Sequence, residues 1–189
     1  MTYAEITPPT AEPLTLVEVK AHLRLDGAEE DALLNGLVTA ARGHLERQTG
    51  LCLMTRTLRL YLDEWPRGGV IQISRGPVQA IVNVVVHEAD GTPVQVSLQD
   101  HLLDGAGRPA RLWLRDPPAP GRLLNGIEID FTAGFGAAAT DVPDALKRAM
   151  LMHVALMFSY RGAVALADQP AAIPAGYDRL VAPYCHRRL

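Results

Sequence analysis

The chain has 189 residues, 48% hydrophobic and 21% charged, which suits one domain, or one domain with a sizeable insertion, built around a real core. A net charge of −3 excludes the broad cationic face with which nucleic-acid binders grip phosphates. No stretch reaches the roughly 18 uninterrupted apolar residues of a membrane span, the opening MTYAEITPPT lacks the basic and apolar regions of a signal peptide, and two distant cysteines, Cys52 and Cys185, read as reduced thiols of a cytosolic product.

Charge is graded along the chain. Residues 1–52 carry a net −4, residues 53–141 a net −2 and residues 142–189 a net +3. The cationic end is suited to an acidic protein surface.

Thr15-Leu-Val-Glu18 has the spacing of a capping box and opens a short helix that Asp26-Gly27 ends. A second helix is predicted over Glu29 to Thr49. Leu33, Leu34, Leu37, Val38, Ala41 and Leu45 recur at the helical period, acids fill the first turn, and Gly50 stands at the left-handed stop. Gly36 and Gly43, seven apart in this helix, either permit close helix approach or are simply tolerated. The two helices resemble a helix-turn-helix, but residues 15–49 carry a net −2, which opposes phosphate contact.

From Met54 the period changes to two. Leu58, Leu60 and Leu62 alternate with polar neighbours, and further strands are predicted at Val70–Ser74, Val78–His87, Pro93–Leu98, Arg111–Leu114 and Gly126–Thr132. Ala89-Asp90-Gly91 reads as a hairpin turn, and Asp116-Pro-Pro-Ala-Pro-Gly121 as a rigid surface loop. A last helix is predicted from Pro143 to Arg161, with proline as its first residue and no formal charge from Ala149 to Tyr160. A helix apolar nearly all round belongs deep in a core or against another subunit. Met150, Met152, Leu156 and Met157 are its candidate adaptable contacts.

The expected fold is therefore α+β. A helical part (1–52) is completed by the apolar helix (137–162), a β-rich domain (53–136) is inserted between them, and an extended tail (163–189) is left for docking. The tail carries two apolar-aromatic anchors with prolines, Ile173-Pro-Ala-Gly-Tyr177 and Leu180-Val-Ala-Pro-Tyr184, followed by Arg187 and Arg188. Tyr and Arg are favoured hot-spot types, and prolines cut the entropy lost on docking.

Catalytic signals are weak. Ala133-Gly-Phe-Gly136 joins a strand to a helix but lacks the glycine, lysine and hydroxyl spacing of a phosphate loop. The six histidines show no metal-ligand spacing, and no nucleophile motif is present. Asp63-Glu64 are strand neighbours whose side chains point to opposite faces. The expectation is no catalytic, cofactor or metal site. The competing readings are an enzyme with a site near Gly134–Gly136, or a small DNA-packaging or DNA-binding factor.

A series of short motifs in fixed order carries a family resemblance. They are Pro13-Leu-Thr-Leu-Val-Glu-Val-Lys-Ala-His-Leu-Arg-Leu25, Glu29-Glu-Asp-Ala-Leu-Leu34, Ala40-Ala-Arg-Gly-His-Leu-Glu46, the Thr49–Thr57 transition, Ile73-Ser-Arg-Gly-Pro-Val78, Phe131-Thr-Ala-Gly-Phe-Gly136, Val142-Pro-Asp-Ala-Leu-Lys147 and Leu180-Val-Ala-Pro-Tyr184. In this the chain resembles the head–tail connector (adaptor) proteins of long-tailed bacteriophages and phage-derived gene transfer agents. One departure is Cys185-His186, where relatives place an arginine directly after the Pro-Tyr pair.

The resemblance implies a non-catalytic ring, usually of twelve copies, below the portal protein. Such a ring extends the DNA channel without binding DNA specifically and offers a platform to the next stopper, neck or tail-terminator protein. It implies assembly in the cytoplasm of a bacterial producer cell, then residence in the particle neck, with no membrane. Portal contact would fall to Ile173, Tyr177, Leu180, Pro183, Tyr184, Arg187 and Arg188, and ring contact to Met150, Met152, Leu156 and Met157.

Overall fold

The computed structural model describes residues 1–160 and 173–185. Among these residues the fold is α+β, with four α-helices and two antiparallel sheets. The chain divides into two compact units: residues 1–9 with 55–135, and residues 10–54 with the segment from 136 onward.

The second unit is helical, with α1 (Leu16–Leu23), α2 (Asp31–Thr49), α3 (Asp144–Ser159) and α4 (Tyr177–Val181). The capping box at α1 is present. Thr15 Oγ1 accepts from the Glu18 amide at 3.2 Å, and Glu18 Oε2 accepts from the Thr15 amide at 2.8 Å. Glu18 also reaches Lys147 on α3 at 2.5 Å. Burial raises the Glu18 pKa somewhat, but Lys147 and Thr15 outweigh it and hold the carboxyl below its usual value. A carboxyl depressed in this way adds stability above its ordinary pKa and loses it as pH falls through the folded value. Glu18→Gln, at a side chain 37% exposed, is therefore expected to cost only about 0.5 kcal/mol at pH 7. In urea titrations the gap from wild type should close as pH falls through the lowered Glu18 value, below the ordinary glutamate range; a gap that persisted in strong acid would contradict this account.

The α1 helix stops at Arg24, which is left-handed at φ 57°, rather than at Asp26-Gly27. The α2 helix starts two residues later than expected, with Glu30 at its N-cap, and closes on left-handed Gly50, whose amide donates to the Glu46 carbonyl at 2.9 Å. Its inner face is Leu34, Val38, Ala41 and Leu45, all buried. Among the described residues of the subunit, a Cβ on Gly36 would meet nothing within 4 Å and one on Gly43 only the end of Arg47, so neither glycine serves a close helix approach there. Buried Glu46 is fully employed: one carboxylate oxygen accepts from the Leu53 amide at 2.9 Å and the other from Arg42 at 3.3 Å.

The α3 helix is shorter than predicted. Pro143 is its N-cap, extended at ψ 133°, not its first helical residue, and the helix ends at Ser159 with Tyr160 as C-cap. Leu146, Ala149, Met150, His153, Val154 and Phe158 are buried, whereas Leu151, Met152, Ala155, Leu156 and Met157 are half-buried. The short α4 follows Gly176, left-handed at φ 95°, and places Tyr177 and Val181 one turn apart, both fully buried.

The first unit is all β. Strands β1 (Thr2–Thr7), β2 (Arg56–Leu62), β8 (Ile127–Ala133), β4 (Val78–His87) and β5 (Pro93–Gln95) form one sheet in the order β1-β2-β8-β4-β5. Strands β3 (Val70–Ile73), β7 (Ala110–Trp113) and β6 (Leu102–Asp104) form the other. Register places Leu58 opposite Phe131, Leu60 opposite Ile129 and Leu62 opposite Ile127, so alternate residues of both strands enter one core.

Two strands were not foreseen. β6 has only three residues. β1 lies on a sheet edge with little apolar alternation, and residues 1–9, placed with the helical part in the sequence reading, fall in the β unit. Tyr3 pins this strand: its ring meets Phe131 edge-on at 6.3 Å, and its hydroxyl accepts from the Ser74 amide at 2.8 Å. The Ala89–Gly91 hairpin joins β4 to β5, with the Thr92 amide donating to Asp90 Oδ1 at 2.8 Å.

Candidate docking surfaces

Most of the C-terminal anchor residues predicted from sequence are described, and they fall into two groups. Tyr177 is fully buried, so its side chain is spent inside its own subunit. Ile173, Leu180 and Tyr184 are half-buried and Pro183 is exposed. Arg187 and Arg188 lie outside the described residues, as does the segment 161–172. Among the helix candidates, Met150 is fully buried, whereas Met152, Leu156 and Met157 keep part of their surface available. Met152 lies beside the start of α4, with its Cε 3.7 Å from the Cβ position of Gly176.

Three rings from three helices meet in this unit. The centroids of His44 on α2 and His153 on α3 are 5.0 Å apart, and Tyr177 on α4 stands 6.1 Å from the first and 5.8 Å from the second, all edge-to-face. His44 Nε2, His153 Nδ1 and Tyr177 Oη are buried without a hydrogen-bond partner among the described residues. Burial, and then His44, push the His153 imidazole below its ordinary value. Burial, with Asp178 and Cys185 adding to it, pushes the Tyr177 hydroxyl up to about 12. The sequence offered the three residues but not their meeting, since 109 positions separate the histidines.

The outer face of the larger sheet carries an ionic network. Arg59 on β2 donates to both carboxylate oxygens of Asp130 on β8, at 2.6 and 2.8 Å, and lies 2.6 Å from Glu128, two residues before it on the same face. His87 on β4 approaches Glu128 at 3.2 Å. At the edge of this unit the loop after β7 is tied down as the proline-rich sequence predicts. Trp65 Nε1 donates to the Pro118 carbonyl at 2.7 Å, and the Gly121 amide donates to the His87 carbonyl at 2.8 Å. A Cβ on Gly121 would stand 2.2 Å from the Ala89 amide nitrogen, so only glycine fits. The loop leads into Leu123 and Leu124, which are 91% and 71% exposed and so contribute nothing to their own unit's core.

The connector at Gly136 does not resemble an anion cradle. A Cβ there would lie 2.0 Å from the Asp141 carboxylate, which also accepts from the Ala138 amide at 2.9 Å. A carboxylate occupying the available amide repels phosphate. Among the described residues no group of three or more His, Cys, Asp or Glu is placed to hold a metal ion. No helix among them is long and apolar enough to cross a membrane.

Three solved structures similar over the whole chain come from gene transfer agent particles. A protein in the neck of an empty gene transfer agent particle, computed with sixfold symmetry, is similar at TM-score 0.82 and 28% identity. One in the virion of a native gene transfer agent particle is similar at 0.82 and 30%, and one in the native neck computed with twelvefold symmetry at 0.74 and 30%. In each case the match covers 100% of this chain and 97% of the other. Among curated proteins, no sequence matches. The fold is thus that of a neck component of phage-like particles. Residues 13–97 match the family described as phage gp6-like head-tail connector proteins, and the chain belongs to that family. Its role is structural, as a connector between head and tail.

Proposed function

We propose that copies of this chain close into a ring in the particle neck, below the portal protein, where they extend the DNA channel and seat the next stopper, neck or tail-terminator protein. The observation that carries this reading is the end-to-end likeness to a protein found in necks reconstructed with sixfold and twelvefold symmetry. A ring of identical subunits needs two different contact faces on each copy. We assign one to the half-buried side of α3, at Met152, Leu156 and Met157, with Met150 supporting them from within. In this reading the β unit is an insertion into the helical unit, and α3 is the helix that joins core to interface.

Portal contact is assigned to the C-terminal segment, through Ile173, Leu180, Pro183, Tyr184, Arg187 and Arg188, with Tyr177 holding that segment in place. A net charge of −3 suits a conduit through which DNA passes without specific binding. The chain takes no cofactor and performs no catalytic step in this reading. Assembly takes place in the cytoplasm of a bacterial producer cell, and the mature location is the neck.

The test is deletion of the coding sequence in a producer, followed by electron microscopy. DNA-filled heads without attached tails are expected, and a tagged copy supplied in trans should restore particles with the tag at the head–tail junction. Intact tailed particles in its absence, or a tag on the head shell or tail tube, would sink the assignment. Pro183→Asp with Tyr184→Ala is expected to leave stability within about 0.5 kcal/mol of wild type for the exposed change and to lower recovery on portal-bearing heads at least tenfold. Recovery at the wild-type level in a pull-down would remove the C-terminal segment from the contact.

A further inference from the structure

We propose that the His44–His153–Tyr177 cluster is a pH-sensitive latch that holds α4 against α2 and α3 at neutral pH and releases it on mild acidification. The latch rests on the geometry of the helical unit alone and stands or falls separately from the neck assignment.

The α4 helix has five residues, too few to be stable by itself, so its position depends on what its side chains bury. Those are Tyr177 and Val181, both fully buried. Tyr177 enters between two imidazoles that stand 5.0 Å apart, and each of the three rings has one buried polar atom with no hydrogen-bond partner among the described residues. A core of this kind is tolerable while both imidazoles are neutral. A proton on either one places a charge in a buried site beside a second basic ring, with a phenol on the remaining side.

Among the described residues, the charged and titratable groups on the packed elements do not offset that charge. On α3, Lys147 is paired with Glu18 of α1, and Arg148 acts on His22 of α1. On α2, Glu46 is engaged by the Leu53 amide and Arg42, and Arg47 is exposed. On and after α4, Asp178 and Cys185 act on Tyr177, and Arg179 is exposed. The influences on His153 are its burial and His44, and both favour the neutral ring.

The direction follows. An imidazole depressed in the closed state contributes its full stability above its ordinary value of 6.5, and that contribution is lost as pH falls below it. The closed latch is then the neutral-pH form. Opening needs only the α4 segment to leave, because His44 and His153 sit on long helices held by Leu34, Val38, Leu45, Met150 and Val154. Release exposes Tyr177 and frees the chain that follows it.

The test is hydrogen exchange of the full-length chain between pH 7.5 and 5.0, corrected for intrinsic exchange rates. Protection of the Leu180 and Val181 amides is expected to fall at least tenfold at pH 5.0, while that of β8 is unchanged. His153→Phe, which keeps a ring and removes the titrating nitrogen, is expected to abolish the response. That variant replaces a buried ring, so a second readout uses wild type: the imidazole resonances of His44 and His153 are titrated by NMR, and one of them should titrate at the opening midpoint. PH-independent protection in wild type, a response retained in His153→Phe, or an opening midpoint matching neither imidazole would overturn the latch.

Discussion

Met150→Lys is expected to give unfolded, insoluble protein, whereas Leu156→Lys gives a soluble, cooperatively melting monomer that fails to complete particles. The two residues lie six positions apart on α3, but Met150 is fully buried and Leu156 only half-buried. A lysine at 150 puts an ammonium at a fully buried position, with buried Leu146 and Val154 one turn away on either side of it on the same helix. The penalty of several kcal/mol takes most of a total stability of about 5–15 kcal/mol. At 156 the long stem can follow the apolar surface and lift its charge into water, so the subunit survives. What it cannot do is pack that surface against a neighbour, because an interface core excludes unpaired charge. Solubility and thermal melting separate the first variant from the second, and complementation of a deleted producer reads out the second. If Leu156→Lys built normal particles, α3 would have no part in the ring.

Arg59→Met is expected to destabilise the β unit by about 2–3 kcal/mol. Arg59 joins Asp130 through two bonds and Glu128 through a third contact, and the three side chains retain 26%, 14% and 18% exposure. Removing the cation leaves two carboxylates on one face of β8, two residues apart, with His87 beside Glu128. Most of the loss is then repulsion and stranded charge rather than a missing contact. The double variant Arg59→Met, Asp130→Asn is accordingly expected to recover at least half of it, and a double-mutant cycle by urea unfolding measures that coupling. Additive losses would mean that the network contributes only packing.

Much of the local structure could be read from residues because its determinants are local. Thr15 and Glu18 satisfy each other's amides within one turn, Gly50 supplies the left-handed stop, and Asp90-Gly91 makes the hairpin. Strand β4 runs over Val78–His87 as its pattern predicts. The motif order also identified the family, because it records the whole chain at once.

What only the tertiary structure decided depends on distant partners. Strand β1 exists because β2 offers it a ladder and Phe131 receives Tyr3, neither of which is encoded near residue 3. The six residues themselves have no buried face to mark them as a strand. The half of α3 that faces inward was undecided in a helix apolar all round, since periodicity cannot choose a face when every face is greasy; contacts with α1, α2 and α4 chose it. Tyr177 is the sharpest case. An aromatic followed by a cationic end reads as a docking anchor, yet a short helix of five residues needs a buried ring to be held at all, and two histidines 109 positions apart in sequence supply its site. Burial is a property of the assembled neighbours, and a residue type alone does not state it.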